Sequence, residues 1–256
     1  MVVLWALWSL VAWPLAALWM VATMLLCLPM LPFRALDRFR TALLFGLLSN
    51  LTRLCFVRVR VTADPGFDPD RRSVYCMNHT SVLDPFLMIH VVPHAYCGVV
   101  NSVQLNMPVY GWVLRLAHAI PVGSRSEGQT ADIARHFADR VARGLSVVIC
   151  PEAHRTVDGK LREFKRGAFY LARNAGLPIV PVAVRGLFRV LPKGTWIIRG
   201  GTVDVHLGPQ IDPAGYTGEQ IGALAARCKE YVGAWVERGE AIPDAVRVLT
   251  PPAGRA

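Results

Sequence analysis

The sequence predicts an α/β domain, a mixed and largely parallel sheet flanked by helices, behind an N-terminal hydrophobic helical membrane anchor. Three observations predict it. Residues 1–33 contain no Asp, Glu, Lys, Arg or His. From Cys55 onward, short runs rich in β-branched residues alternate with stretches of helical periodicity, the pattern that lays strands parallel. At 256 residues the chain is long enough for one sizeable domain and an appendage. The expected divisions are 1–54 for the anchoring helices, 55–240 for the α/β domain and 241–256 for an irregular tail containing Pro243, Pro251 and Pro252.

Taken in order, Val2 to Leu28 supplies the roughly 20 apolar residues that a membrane-crossing helix needs. Pro14 interrupts it, and Pro29 and Pro32 close it. Trp5, Trp8, Trp13 and Trp19 suit the membrane–water interface. Arg34, Arg38 and Arg40 follow, opposed by Asp37. Basic flanks stay on the cytoplasmic side, so the rest of the chain is expected to face the cytoplasm. A cleaved signal peptide would want a charged start, a shorter apolar stretch and a small-residue cleavage site, none of which the sequence offers. Thr41 to Leu51 is apolar but too short to span, and suits a half-buried interfacial helix. Crossing the bilayer and dipping into one leaflet both remain open at this point.

Within the domain the expected strands are Phe56–Val61, Ser73–Met77, Tyr96–Val100, Leu145–Cys150, Ile179–Val184 and Thr202–Leu207. Ile133, Phe137 and Val141 mark one face of a helix, and another covers about 107–116. Ile221, Leu224, Cys228, Tyr231 and Trp235 form the apolar stripe of a closing helix, with Thr217 as its expected N-cap.

Composition then bounds the chemistry. The 28 Lys and Arg exceed the 18 acidic residues, for a net charge of +10. That balance suits anionic membranes, nucleic acids or phosphorylated small molecules. The apolar leader favours the membrane, and with no zinc-finger spacing, RNP-like aromatic motif or basic heptad region, no nucleic-acid partner is expected. The six cysteines form no C-x-x-C pair and read as buried, reduced thiols. His90 and His94 are four apart, but Val91-Val92-Pro93 ends the helix before it pairs them, so no metal site is expected. There is no G-x-S-x-G elbow, dinucleotide loop or Walker motif.

Two constellations carry chemistry. Asn78-His79-Thr80-Ser81-Val82-Leu83-Asp84-Pro85 lies between an apolar strand and a helical run, where α/β proteins place ligands. A loop histidine folded back on a helix-start carboxylate is a general base with a fixed tautomer, able to take a proton from an alcohol near neutral pH. Alone, the pair also describes a strand-end histidine beside a helix-capping aspartate. The second constellation is Pro151-Glu152-Ala153-His154-Arg155-Thr156, again at a strand exit. Glu152 would accept a glycerol hydroxyl and Arg155 would grip phosphate, unless the two form a plain surface ion pair. Downstream, Lys160 to Ala168 is a basic patch opening a helix, suited to phosphate.

In order, Asn78-His79-x4-Asp84, Pro151-Glu152-x-x-Arg155, Phe164-Lys165-x-Gly167-Ala168 and Ile179-Val180-Pro181-Val182 resemble the motifs of the 1-acylglycerol-3-phosphate acyltransferase (PlsC-like) family of glycerolipid acyltransferases, over about residues 55–210. The resemblance implies an O-acyltransferase that moves a fatty acyl group in one step to the free hydroxyl of a lysophospholipid, lysophosphatidic acid first. Acyl-CoA or acyl-carrier protein is the co-substrate, no cofactor is implied, and membrane lipids are the partners. His79 becomes the base and Asp84 its orienting partner. Asn78, Glu152, Arg155, Arg125, Lys165, Gly167 and Pro181 fall on the substrate side, with Val180-Pro181-Val182 lining the cleft.

Three departures bear on the acceptor. The family's Pro-Glu-Gly-Thr-Arg-Ser has Ala153 and His154 in place of Gly and Thr, and the arginine of its Gly-x-Ile-Pro-Val-x-Arg comes one position late, as Arg125. Asn101 and Ser102 stand where many relatives carry lysines. These changes leave another head group, such as a lyso-aminolipid, open. A catalytically idle lipid-binding module of the same fold is the alternative from another class. Intact His79 and Asp84 argue against it, since binding needs no base.

Overall fold

The computed structural model describes residues 1–123, 129–238 and 247–248. The apolar leader forms α1 (Val2–Cys27), followed by α2 (Asp37–Leu48) and α3 (Asn50–Leu54). Pro14 does not interrupt α1, which runs through it and gives up one internal hydrogen bond there. From Trp5 onward one face of α1 is docked. Ser9, Ala12, Met24 and Cys27 are buried, whereas Leu7, Leu10, Leu18 and Leu25 are exposed.

Polar contacts stitch that docked face down. The Trp8, Trp13 and Trp19 indoles donate to the carbonyls of Leu54 (3.2 Å), Trp196 (2.7 Å) and Leu47 (2.7 Å). The Ser9 hydroxyl donates to Trp5 O and accepts from Ile198 N at 2.8 Å. Three tryptophans expected among head groups thus place their N–H on protein. Likewise Arg40 is not a free flanking charge. It is 6% exposed, ion-paired to Asp37 and 3.4 Å from His118 Nε2, while Arg34 and Arg38 are exposed.

Eight strands are seen among the described residues: β1 (Val57–Ala63), β2 (Val74–Met77), β3 (Tyr96–Asn101), β4 (Ile120–Val122), β5 (Ser146–Ile149), β6 (Ile179–Arg185), β7 (Gly201–Leu207) and β8 (Arg247–Val248). They form one sheet in the order β4-β3-β5-β2-β6-β7-β1-β8. Every pairing is parallel except β6 with β7 and β1 with β8. Strand β2 lies near the middle, with Cys76 opposite both Ile149 and Pro181, and is buried on both faces. A parallel strand covered on both sides reads as an unbroken apolar run, as this one does.

The remaining helices are α4 (Asp84–Met88), α5 (Tyr110–Leu116), α6 (Gln129–Ala142), α7 (Gly167–Asn174), α8 (Leu187–Val190) and α9 (Ile221–Val236). Alternation along β2 sends Tyr75 and Met77 to one core and Val74 and Cys76 to the other. The first core holds α1 to α5 and α8; the second holds α6, α7 and α9, with Phe137 of the expected helical face 1% exposed.

Strand bounds shift by one or two residues from the sequence expectation. Strand β4 was not expected; it is three residues long and holds Pro121, which a sheet edge tolerates. Thr217 does not cap α9: residues 217–220 close a turn first, with Gln220 Oε1 accepting Thr217 N at 3.0 Å and Gln220 at the cap. His90 and His94 diverge as expected, to Thr52 Oγ1 (2.8 Å) and Ser146 Oγ (3.1 Å).

Candidate active site

The site forms where β2 and β5 end. Asn78, the first residue beyond β2, closes both arms of its carboxamide on β6, donating to Val184 O (2.9 Å) and accepting from Val184 N (2.8 Å). It is 3% exposed and fixes the position from which the next residue departs. Asn78 therefore does not line the cleft as the sequence suggested, because both its polar ends are spent on the sheet.

His79 turns back onto the start of α4, with Nδ1 2.5 Å from Asp84 Oδ2. Asp84 is 2% exposed. It also accepts from Thr80 N (3.0 Å), Ser81 N (3.1 Å) and the Thr80 hydroxyl (3.2 Å). Hydrogen bonds to a carboxylate are charge-assisted and stronger than those between neutral groups, so these donors fix its position. With Nδ1 engaged, the other ring nitrogen has no partner among the described residues, and the His79 side chain is 24% exposed.

Glu152 grips this loop from beneath. Its Oε1 accepts from His79 N and its Oε2 from Arg162 N, each at 2.7 Å, while Thr156 N donates to His79 O at 2.9 Å. Burial raises the carboxyl pKa, opposed by those two amide bonds. The carboxylate expected to meet a glycerol hydroxyl is turned to the backbone. The next residue, Ala153, has φ of 66°, a left-handed conformation at the position where the family motif carries glycine.

A cleft of about 700 Å³ opens here. Its polar lining includes His79, Asp84, His154, Arg155, Lys165 and Lys193, and Gly167 also lines it. Its apolar wall includes Phe45, Leu48, Met77, Phe86, Tyr96 and Val148. Five residues singled out in the sequence thus come together: His79, Asp84, Arg155, Lys165 and Gly167. Pro181 does not reach the cleft. It is buried within β6, opposite Cys76, one step back from the strand ends. Arg125 lies outside the described residues.

Lys193 had no sequence signal; it arrives from the loop after α8. Arg155, Lys165 and Lys193 make no side-chain ion pair or hydrogen bond among the described residues, whereas Arg162 pairs with Asp158 (3.1 Å) and Arg60 with Asp204 (2.5 Å). Three cations without a side-chain partner among the described residues thus line a cleft whose one carboxylate, Asp84, is already engaged by His79.

Cys150 completes the surroundings. Its sulfur, a His79 ring nitrogen and an Asp84 oxygen lie within 4.8 Å of one another, the one three-donor cluster among the described residues. Burial, with the charges of Asp84 and Glu152, raises the thiol pKa well above its ordinary value, so it stays a protonated neighbour of the dyad.

Residues 58–185 match the family described as Acyltransferase, and the chain belongs to that family. It is 33% identical over 153 residues to the 1-acyl-sn-glycerol-3-phosphate acyltransferase of Limnanthes alba, covering 59% of this chain and 54% of that protein. It is 29% identical over 213 residues to the Pseudomonas aeruginosa protein of the same name, covering 80% and 79%. The match thus spans about half the length of the plant relative. The crystal structure of the 1-acyl-sn-glycerophosphate (LPA) acyltransferase PlsC from Thermotoga maritima shares the fold, with a TM-score of 0.77, 21% identity, and coverage of 93% of this chain and 96% of that one.

Proposed function

We propose that this chain is an O-acyltransferase that esterifies lysophosphatidic acid to phosphatidic acid at a membrane surface, using acyl-CoA or acyl-carrier protein. The observation that carries the reading is the braced His79–Asp84 pair in a cleft lined by apolar side chains and by cations. The partnerless ring nitrogen of His79 takes the proton of the acceptor hydroxyl as that oxygen attacks the thioester carbonyl. The new C–O bond forms, the C–S bond breaks, and the imidazolium returns its proton to the departing thiolate. Asp84 holds the ring and stabilises its charge in the transition state. Arg155, Lys165 and Lys193 receive the phosphate, supplying the cations that Asn101 and Ser102 do not. The apolar wall takes an acyl chain. Glu152, its oxygens committed to backbone amides, is a positioning residue.

The apolar exposed face of α1 supports membrane association, and its other face is docked from Trp5 onward. A helix bound to the domain along most of its length suits lying in one leaflet better than crossing the bilayer. Exposed Arg34 and Arg38 support a cytoplasmic side.

The test is detergent-purified protein given acyl-CoA or acyl-carrier protein with a panel of lysolipids, diacyl product being followed by mass spectrometry. Lysophosphatidic acid is expected to be the preferred acceptor, and His79→Ala to lower turnover by on the order of 10³–10⁴. Arg155→Ala or Lys193→Gln should raise the acceptor KM by about tenfold or more, with kcat little changed. Undiminished turnover in His79→Ala would sink the mechanism. A preference for a zwitterionic lysolipid would replace the acceptor.

A further inference from the structure

The catalytic domain exposes a second apolar surface. Along the 3₁₀ turn Ser102–Asn106, the link that follows it and the start of α5, Val103 is 69%, Met107 48% and Trp112 53% exposed. Bare side chains of this size, close together, mark a surface that meets something apolar. The backbone is built to present them. Val109 has φ of 61°, with Tyr110 N donating to Pro108 O at 2.6 Å, and a Cβ at Gly111 would sit 2.2 Å from Leu105 O. This tight reversal lays α5 over the 3₁₀ turn. Tyr110 and Val113 then face the cleft, while Met107 and Trp112 stand outside.

We infer that the segment from Ser102 to Leu116 is a second membrane-contact surface, seated in the same leaflet as α1 at the mouth of the cleft. Two observations choose a bilayer as the occupant. The first is continuity: α5 packs against α1, and His118, just beyond α5, lies 3.2 Å from Asp37 Oδ2 at the start of α2. Phe33, Leu36 and Phe39, which flank Asp37 in sequence, are exposed as well. The second is charge. Residues 102–118 contain no Asp or Glu, and Arg115, one helical turn from Trp112, is exposed, as are Arg34 and Arg38 across the junction. Tryptophan and phenylalanine bordered by arginines is the composition of a surface at head-group depth on an anionic leaflet.

The consequence concerns substrate access. The segment that touches lipid also walls the cleft, through Val103 at its rim and through Gln104, Tyr110, Val113 and Leu114. An acceptor in the leaflet then reaches His79 without its chain crossing water.

This surface rests on the reading of α1 as bilayer-embedded, so the experiment probes the two separately and needs no activity. Full-length protein would carry an environment-sensitive fluorophore on one introduced cysteine: Met107→Cys, Leu10→Cys on α1, or Glu230→Cys on α9 in the opposite layer. Unsubstituted protein, whose own cysteines are buried or half-buried, is the labelling blank. Each is bound to vesicles of mixed phosphatidylglycerol and phosphatidylcholine. The Met107 and Leu10 probes should be quenched by shallow nitroxide lipids and shielded from iodide, with the Glu230 probe the reverse. A Met107 probe that answers to iodide while Leu10 answers to nitroxide overturns the surface and spares the anchor. A Met107 probe shielded from both quenchers means that another protein copy covers it, and also overturns the proposal. A Leu10 probe left in water overturns both readings. As a second readout, Met107→Ser combined with Trp112→Ser should lower turnover of a long-chain acceptor in vesicles by about tenfold or more, leaving a dispersed short-chain acceptor within about twofold. Equal loss on both acceptors would count against the surface.

Discussion

At the scale of single residues, the loop after β5 combines a grip and a strain. Glu152 binds two backbone amides, one of them that of His79 itself. Ala153, next in sequence, is held at φ of 66°. A left-handed conformation costs a residue with a Cβ about 1–2 kcal/mol, and glycine little. Ala153→Gly should therefore raise the thermal midpoint by about 2–4 °C, since the removed strain exceeds the flexibility that glycine adds to the unfolded chain. A lowered midpoint in thermal unfolding would mean that the loop relaxes its strain elsewhere. Glu152→Gln makes the complementary case. The amide keeps one acceptor but turns an N–H donor toward another N–H, leaving a buried group unpaired at about 1–3 kcal/mol. Because the two amides compete for the one remaining acceptor and one of them is that of His79, kcat should fall while the acceptor KM changes little. A rise in KM alone would return Glu152 to acceptor binding.

At the scale of elements, α1 behaves as a strut of the domain as well as an anchor. Ser9 is fully buried, and its hydroxyl satisfies the amide of Ile198 in the segment before β7. Ser9→Ala should leave that amide orphaned at about 1–3 kcal/mol, and hydrogen exchange at Ile198 should accelerate well ahead of the β2 amides. Unchanged protection there would show that α1 docks by packing alone. None of this docking was legible beforehand, because a run apolar on every side carries no periodicity from which to choose its inner face. The strands β2, β5 and β6 were legible because central parallel strands are apolar throughout and end in recognisable loops. The dyad was legible for a related reason: His79 and Asp84 lie in one local strand–loop–helix passage. The backbone bonds of Glu152 and Asn78 were not legible, since a side chain committed to backbone groups leaves no complementary residue in the sequence. Lys193 had neither motif nor neighbour to announce it.

At the scale of the whole molecule, the histidines outside the site set how the fold answers to acid. Burial is the leading cause of a lowered pKa at His90, His94, His118 and His206, and it brings His94 from its ordinary 6.5 to about 4. The unfolded chain takes up these protons near pH 6.5, and the folded chain only at lower pH. Between those values the unfolded state binds more protons, so stability rises with pH and is lost on acidification, over the widest window at His94. Glu152 opposes this. Its raised pKa lets the folded state hold a proton that the unfolded chain has already released, and four histidines outweigh it in number. The thermal midpoint in detergent should therefore fall as pH drops from 7 to 5, and His94→Gln should flatten part of that slope. Net positive charge would also grow with acidification and repel itself, but salt separates the two causes. Repulsion between exposed charges is screened beyond about 10 Å at 0.1 M salt, whereas the cost of charging a buried imidazole is not. An acid loss that persists in salt and shrinks in His94→Gln would assign it to the buried rings; one that salt abolishes in both proteins would assign it to the surface.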